Sequence, residues 1–282
     1  MSKPVMITTD STADFSPELI TRYGFRTIPL TIRLGDESFY DGDHFTPEDM
    51  YKRYHEDGTL PKTASPSIEE FTAFFEQFTG QGCAVVHLDI SSELSNTCNA
   101  ARLAADEMED VHVIDTRLLS TGIALLAIEA AECRDRGMEA AEIAAHIEDI
   151  KEKVSTSFVL DTLEFLWKGG RCSGVTALGA NLLKIKPCIV MADGKLDVGK
   201  KYRGKMESVY KKYIADMLTG KKIRTGHIFL TESGEIRPEI LDELEQLIKD
   251  LSGCKEVHRT RAGCTISTHC GPRTMGVLFI EQ

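Results

Sequence analysis

The sequence lacks any apolar run long enough to cross a membrane. The longest mostly apolar stretch of its 282 residues, residues 123–131, is far shorter than the ~20 residues of a membrane-spanning helix and contains Glu129. The first residues have no apolar core of the length found in signal peptides. The eight cysteines form no Cys-x-x-Cys pair, and no histidines stand at a paired spacing. We therefore expect a cytoplasmic protein with free thiols and without a metal site.

Basic residues are also relatively few. The chain has 33 lysines and arginines but 44 aspartates and glutamates, which gives a net charge of −11. This balance argues against a nucleic-acid partner, because phosphate contacts need a basic surface. Otherwise, 42% hydrophobic and 27% charged residues are typical of a soluble globular protein. The length suits two domains of about 150 residues each.

One basic segment departs from the acidic balance. A solvated face is its ordinary interpretation, and a docking strip for an acidic partner is the alternative, because opposite charges steer encounter. The segment comprises Lys195, Lys200, Lys201, Arg203, Lys205, Lys211, Lys212, Lys221, Lys222 and Arg224.

Several catalytic motifs are missing. The sequence has no Gly-x-x-x-x-Gly-Lys-Ser/Thr loop for phosphates and no Gly-x-Gly-x-x-Gly dinucleotide fingerprint. Ser95 and His269 leave a serine acyl hydrolase open, although Ser95 lacks the small flanking residues of a nucleophile elbow. A binding protein for another small anion also stays open, and a short, polar inter-domain cavity would favour it.

The most informative stretch is residues 83–108. A continuous apolar run indicates a buried strand, and the helical spacing of small and apolar residues after it indicates a helix. Ser91, Ser92, Ser95 and Thr97 therefore lie in the turn between the two. The hydroxyls serve either as helix caps or as part of an anion site at the helix N-terminus.

Strands alternate with helices over the first half, which predicts a doubly wound parallel α/β domain at residues 1–155. An α+β domain is predicted at residues 156–282, including a helical segment at 177–183 and a hairpin at Asp193-Gly194. Residues 27–32 form a single predicted strand. Four polar spots are predicted in loops beside strands: Thr63, Ser95, Gly169-Gly170-Arg171 and His269-Cys270-Gly271-Pro272.

Together, in this order, these spots resemble the DegV family. The matching pieces span essentially the whole chain: Ile7-Thr8-Thr9-Asp10-Ser11-Thr12-Ala13-Asp14, Lys62-Thr63-Ala64-Ser65-Pro66-Ser67, Ile90-Ser91-Ser92-Glu93-Leu94-Ser95-Asn96-Thr97, Asp161-Thr162-Leu163, Gly169-Gly170-Arg171, Lys184-Ile185-Lys186-Pro187 and His269-Cys270-Gly271-Pro272.

The resemblance implies a non-catalytic carrier that encloses a long-chain fatty acid, such as palmitate, between two domains. The family's carboxylate-binding residues match Thr63 and Ser95, and we add Ser92 and Asn96 from the same turn. Residues matching Arg171, Arg203 and His269 are expected to face the phosphate or the partner. The implied partner is the catalytic subunit of a fatty acid kinase, which forms an acyl phosphate for phospholipid synthesis, and transient contact with a membrane surface fits this role.

Two residues depart from the family pattern. Asn96 stands where the family usually has the glycine of Leu-Ser-Gly-Thr, and Arg273 stands where a glycine usually follows Gly-Pro. Asparagine tolerates a left-handed backbone better than most residues, though less freely than glycine. We therefore expect a conserved turn at Asn96 with altered N–H placement, and an altered loop at Arg273.

Overall fold

The computed structural model describes residues 3–172 and 185–282, and the helical segment predicted at 177–183 lies outside them. In chain order the first strands are β1 (Val5–Asp10), β2 (Arg26–Ile28), β3 (Thr31–Leu34), β4 (Glu37–Tyr40), β5 (Lys62–Ala64), β6 (Ala84–Asp89) and β7 (Val111–Asp115). The first helices are α1 (Pro17–Tyr23), α2 (Pro47–Asp57), α3 (Ile68–Thr79), α4 (Thr97–Ala105), α5 (Thr121–Asp135) and α6 (Ala140–Ile150).

The later elements are mostly strands. They are β8 (Val154–Val159), β9 (Lys186–Ala192), β10 (Lys195–Tyr202), β11 (Ile223–Glu232), β12 (Val257–Arg261) and β13 (Met275–Glu281). The helices among them are α7 (Glu164–Gly169), α8 (Met206–Leu218), α9 (Pro238–Ser252) and α10 (Cys264–Cys270). In the described part of the chain, no helix combines the length and apolarity needed to span a membrane.

The strands form three sheets. The first is parallel, with the order β2-β1-β6-β7. The second has the order β10-β9-β8-β13-β11-β12 and is antiparallel except for the pair β11–β12. A small antiparallel sheet, β4-β3-β5, lies apart from both. The predicted fold class, a parallel-sheet α/β part followed by an α+β part, is confirmed, while the domain boundary at residues 155/156 stays a prediction.

Helix α5 joins the two large sheets. It is buried nearly all round, from Thr121 to Cys133, as expected for a helix without a polar face. Its side chains belong to one hydrophobic cluster that includes Ile7 and Val86 of the parallel sheet and Phe158 and Leu278 of the mixed sheet. The two sheets therefore share one core, with α5 between them.

Three predictions about local structure are wrong. Residues 27–32 do not form one strand: the chain leaves the parallel sheet at Ile28, and β3 begins at Thr31 in the small sheet. Pro29, which lacks an N–H, lies at this break. Thr63 lies in β5 and not in a loop, and His269 lies in the last turn of α10.

Candidate functional site

The hydroxyl-rich turn between β6 and α4 is tied to its surroundings by its own side chains. Ser91 Oγ donates to the carbonyl of Gly194 (2.7 Å), which connects the turn to the β9–β10 hairpin. Both central residues of that hairpin have positive φ (Asp193 50°, Gly194 77°), as a type I′ turn requires. Ser95 Oγ lies 2.7 Å from Thr97 Oγ1 and caps the Thr97 N–H at 3.3 Å.

A second wall of the site comes from β5 and α10. Thr63 Oγ1 lies 3.1 Å from Nε2 of His269, although the two residues are 206 positions apart. The other ring nitrogen of His269, Nδ1, is buried and has no hydrogen-bond partner within residues 3–172 and 185–282. Burial, and secondarily the positive charge of Arg171, lowers the pKa of His269 to about 4. The imidazole is therefore neutral at physiological pH.

The Gly-Gly-Arg segment at the end of α7 fits closely around this histidine. A Cβ at Gly169 would overlap Nδ1 of His269, so a residue without a side chain is required there. Gly170 has φ +67° and ends α7 in the left-handed conformation. Arg171 follows at the surface, where its Nη1 donates to the carbonyl of Gly169 (2.6 Å).

Four of the seven predicted site residues line one cavity: Thr63, Ser95, Arg171 and His269. We call it the outer cavity. Its other walls are mainly apolar and include Leu30, Ile90, Leu94, Leu119, Leu196 and Ile266. A few hydroxyl and cationic groups on a mostly apolar wall are typical of a pocket for an amphipathic ligand.

The other three predicted residues lie outside the lining of this cavity. Ser92 Oγ donates to Oδ2 of Asp115 (2.5 Å), so its hydroxyl stabilises the turn. Asn96 is exposed at the N-cap of α4. Its φ of −80° shows that this position requires no left-handed backbone. Arg203 is exposed in the loop between β10 and α8.

A second cavity, the inner cavity, lies next to the outer one. Four residues line both: Leu119, Leu196, Ile266 and His269. The surface facing the inner cavity is apolar, even though its lining includes several serines and threonines. The pair therefore forms a slot with a polar outer end and an apolar inner end.

These shared apolar residues were not predicted. In the sequence, Leu119, Leu196 and Ile266 resemble any other core residue, because nothing in hydrophobic spacing distinguishes a cavity wall from a packed interior. The residues that did indicate the site were polar ones, with hydroxyl, imidazole or guanidinium groups, next to the ends of strands or helices.

Asp10, at the start of the Asp-Ser-Thr motif that ends β1, holds the hydroxyl-rich turn in place. Asp10 Oδ2 accepts the N–H of Ile90 (2.7 Å), and Asp10 Oδ1 accepts the N–H of Thr12 (2.7 Å). Asp10 thus fixes the start of the hydroxyl-rich turn from the neighbouring strand. Burial raises the pKa of Asp10 to about 8, and the nearby Asp89 carboxyl adds to this rise.

Half of the basic segment forms ion pairs within the chain. Lys200 pairs with Asp216 (2.7 Å), and the other such cations are Lys195, Lys211, Lys221 and Arg224, which pair with Glu93, Glu243, Glu281 and Glu129. The pairing favours the interpretation of this segment as an ordinary solvated face.

Comparison with known proteins covers the whole chain. The family model described as "Uncharacterised protein, DegV family" matches residues 4–282. A DegV domain-containing protein from Caldanaerobacter subterraneus is 30% identical over 282 residues, with 99% of each chain covered. The structure also resembles a DegV family protein from Thermus thermophilus, described by its fatty acid binding, with a TM-score of 0.88, 29% identity and full coverage of both chains. A DegV lipid binding protein from Thermotoga maritima gives a TM-score of 0.85 at 29% identity over 99% of each chain.

Proposed function

The chain belongs to the DegV family, and from this premise we propose that it binds a long-chain fatty acid such as palmitate in the slot formed by the two cavities. The carboxylate lies in the outer cavity and the acyl chain extends into the inner one. The observation that carries this proposal is the joining of a polar outer end, with Thr63, Ser95, Arg171 and His269, to an apolar inner end. The structural relatives described as binding fatty acids or lipids support it.

The energetics of binding an acyl chain agree with a polar end for the carboxylate and an apolar end for the chain. Burying one methylene contributes about 0.8 kcal/mol, so a chain of ~16 carbons offers on the order of 11 kcal/mol. Association costs are about 4–15 kcal/mol, and a hydrogen bond to a charged group contributes only about 1.5–3 kcal/mol. The acyl chain therefore sets the affinity, and the hydroxyls of Thr63 and Ser95 set the orientation of the carboxylate.

We further propose that the protein presents this carboxylate to the catalytic subunit of a fatty acid kinase for acyl-phosphate formation. Arg171 is exposed while lining the outer cavity, so its guanidinium faces both a bound carboxylate and an incoming phosphate. The neutral ring of His269 hydrogen-bonds Thr63 and holds its hydroxyl beside the carboxylate position. Arg203, exposed beyond the cavity, is assigned to the partner surface.

The hydrolase alternative has less support. In the described structure the hydroxyl of Ser95 pairs with Thr97, and Nε2 of His269 pairs with Thr63. A nucleophilic serine needs a base within hydrogen-bond reach, and that base needs a group to orient it. In the part of the chain that the structure describes, no group orients Nδ1 of His269 in this way. The alternative of a small-anion binder is also disfavoured, because the inner cavity is apolar.

Extraction of the purified protein with organic solvent, followed by mass spectrometry, tests the proposal. We expect a fatty acid at about one equivalent. Ile266→Trp, at the junction of the two cavities, should lose it, whereas Leu103→Trp, at a position 62% exposed on α4, should retain it. Protein that contains no fatty acid and takes up none when it is added would contradict the proposal.

A further inference from the structure

Away from the slot, two histidines and a glutamate meet on one face of the mixed sheet. His227 lies on β11, His258 lies on β12, and Glu256 directly precedes β12. The two strands are parallel, with Phe229 opposite His258. Because successive side chains of a strand point to opposite faces, His227 and Phe229 share a face, and so do Glu256 and His258. Residues far apart in sequence thus become neighbours.

The two imidazoles face each other through one nitrogen each. Nδ1 of His227 lies 2.8 Å from Nε2 of His258, and the rings stack with centroids 5.1 Å apart. Oε2 of Glu256 is 4.0 Å from the same Nδ1 of His227. The histidine side chains are 18% and 9% exposed, so the nitrogen pair is largely shielded while remaining reachable by an ion.

Two further side chains orient these groups. Oε1 of Glu132, on α5, lies 3.2 Å from Nε2 of His227. A carboxylate there keeps the proton on Nε2 and leaves the lone pair of Nδ1 directed at His258. Arg22, on α1, donates to Oε1 of Glu256 (2.6 Å), which leaves the other carboxylate oxygen, Oε2, on the side of the histidines.

We propose that His227, His258 and Glu256 form a binding site for a divalent ion of the zinc type. Two imidazole nitrogens and one carboxylate are a recurrent ligand set for zinc, with water completing the tetrahedron. Zinc–nitrogen distances of 2.0–2.1 Å place two nitrogens roughly 3.3 Å apart on one tetrahedral ion. The histidine nitrogens need to separate by only about half an ångström, and the ion replaces the proton they share.

A second group of candidate ligands, Glu129, Cys133 and His146, lies between α5 and α6. Its donor atoms are already used: Glu129 accepts from both His146 (2.9 Å) and Arg224 (3.3 Å), and Cys133 Sγ accepts from Arg136 (3.0 Å). An ion there would have to displace two guanidinium groups. The group at His227 is therefore the stronger candidate, and the other provides a matched control.

A bound ion would connect parts of the molecule that are far apart in sequence. Its ligands lie on β11 and at the start of β12, and the residues that orient them lie on α1 and α5. The site is separate from the slot, so its existence does not depend on fatty acid binding.

Titration of the full-length, chelator-treated protein with Co²⁺, followed by competition with Zn²⁺, tests the inference. We expect one equivalent of Co²⁺ to bind with micromolar or tighter affinity and to give the visible absorption of a tetrahedral nitrogen–oxygen site. No thiolate charge-transfer band should appear. His258→Ala should weaken binding at least 100-fold, and Glu132→Gln should weaken it about 10–100-fold by releasing His227.

The control is His146→Ala, which should leave the titration unchanged. Circular dichroism and the melting temperature of each metal-free variant show whether it is folded, and His227→Gln replaces His258→Ala if the latter is not. Absence of binding at micromolar Co²⁺, a thiolate band, or unchanged binding in folded His258→Ala and His227→Gln would overturn the inference.

Discussion

Ser95 and Ser92 are close in sequence, yet their hydroxyls have different surroundings. Ser95 lines the outer cavity, whereas Ser92 donates to Asp115 outside its lining. Under the proposed function, Ser95 therefore contacts the bound carboxylate, whereas Ser92 shapes the turn. The family resemblance pointed to Ser95, but residue spacing alone did not separate the two serines, because it does not reveal which way a turn directs each hydroxyl.

We predict that Ser95→Ala leaves fatty acid binding detectable, with a loss of about tenfold or less, because the acyl chain provides most of the affinity. Phosphorylation of the bound acid by an added fatty acid kinase subunit should decrease far more, because the carboxylate loses its orientation. Equilibrium binding and acyl-phosphate formation are the two measurements. Ser92→Ala is the control and should change neither by more than a few-fold. Equal losses of binding and phosphorylation in Ser95→Ala would contradict this division.

Gly169 and Gly170 are adjacent but are required for different reasons. A side chain at Gly169 would overlap His269, whereas Gly170 has open space and needs only its positive φ. Gly169→Ala should displace the imidazole and break its contact with Thr63. Gly170→Ala should cost about 1–2 kcal/mol in backbone strain without moving His269.

The ¹⁵N chemical shifts of the His269 ring and the melting temperature check this pair. Both variants should melt at lower temperature, but the His269 signals should shift only in Gly169→Ala. Unchanged His269 signals in Gly169→Ala would show that the close approach between α7 and α10 is not a constraint.

Asn96 and Arg273, the two departures from the family pattern, differ in backbone conformation. Asn96 has a negative φ, so replacing the usual glycine requires no left-handed backbone. Arg273 has a φ of +59°, and its Nη1 lies 3.2 Å from Oδ2 of Asp161. The ion pair offsets part of the conformational cost, which explains how a charged residue occupies a glycine position.

At the scale of elements, β1 and β6 bring two acids into contact at their C-terminal ends. Asp10 and Asp89 are both fully buried, and burial raises the pKa of Asp89 to about 7. The nearby His87 is neutral, because burial lowers its pKa to about 4. Each carboxyl therefore keeps its proton up to near neutral pH, because burial penalises its charged form.

This pair predicts a pH dependence of stability. Both folded-state pKa values exceed the unfolded value of 3.8, so the folded protein binds more protons and its stability decreases as pH rises from about 4 to about 8. His87 acts in the opposite direction, but only between about 4 and 6.5. From pH 6.5 to 9 the acids dominate.

We therefore expect the melting temperature to decrease between pH 6.5 and 9, and to decrease less in Asp89→Asn. Asp36→Asn, which removes an exposed acid from a turn, should retain the slope of the unmodified protein. A slope that is the same in all three proteins would show that the buried pair is ionised throughout this range.

Elements with local signals were predicted well. The strand and helix predicted within residues 83–108 are β6 and α4, and Asp193-Gly194 turns a hairpin as predicted. The errors concern pairing over long range. Whether residues 27–32 stay in one sheet, and whether Thr63 lies in a strand, depends on β3, which pairs with β5 across about thirty residues.

For the whole molecule, the sequence predicted the fold class. Its family resemblance also pointed to four polar residues that the structure brings to one cavity, Thr63, Ser95, Arg171 and His269. Residue spacing alone did not decide whether the hydroxyls of the turn at Ser95 cap a helix or form an anion site. It gave no sign of the apolar walls or of the histidine pair at His227, because both arise from elements that meet only in the folded chain. Long-range packing thus decides the parts of the site that residue patterns leave undetermined.

The central claim is that an acyl chain occupies the slot with its carboxylate at the outer end. A crystal structure of the protein saturated with palmitate tests it most directly. We predict carboxylate oxygens within about 3.2 Å of Thr63 Oγ1 and Ser95 Oγ, with the chain passing between Leu119, Leu196 and Ile266 into the inner cavity. A palmitate bound elsewhere, or one with its carboxylate in the inner cavity, would contradict the account.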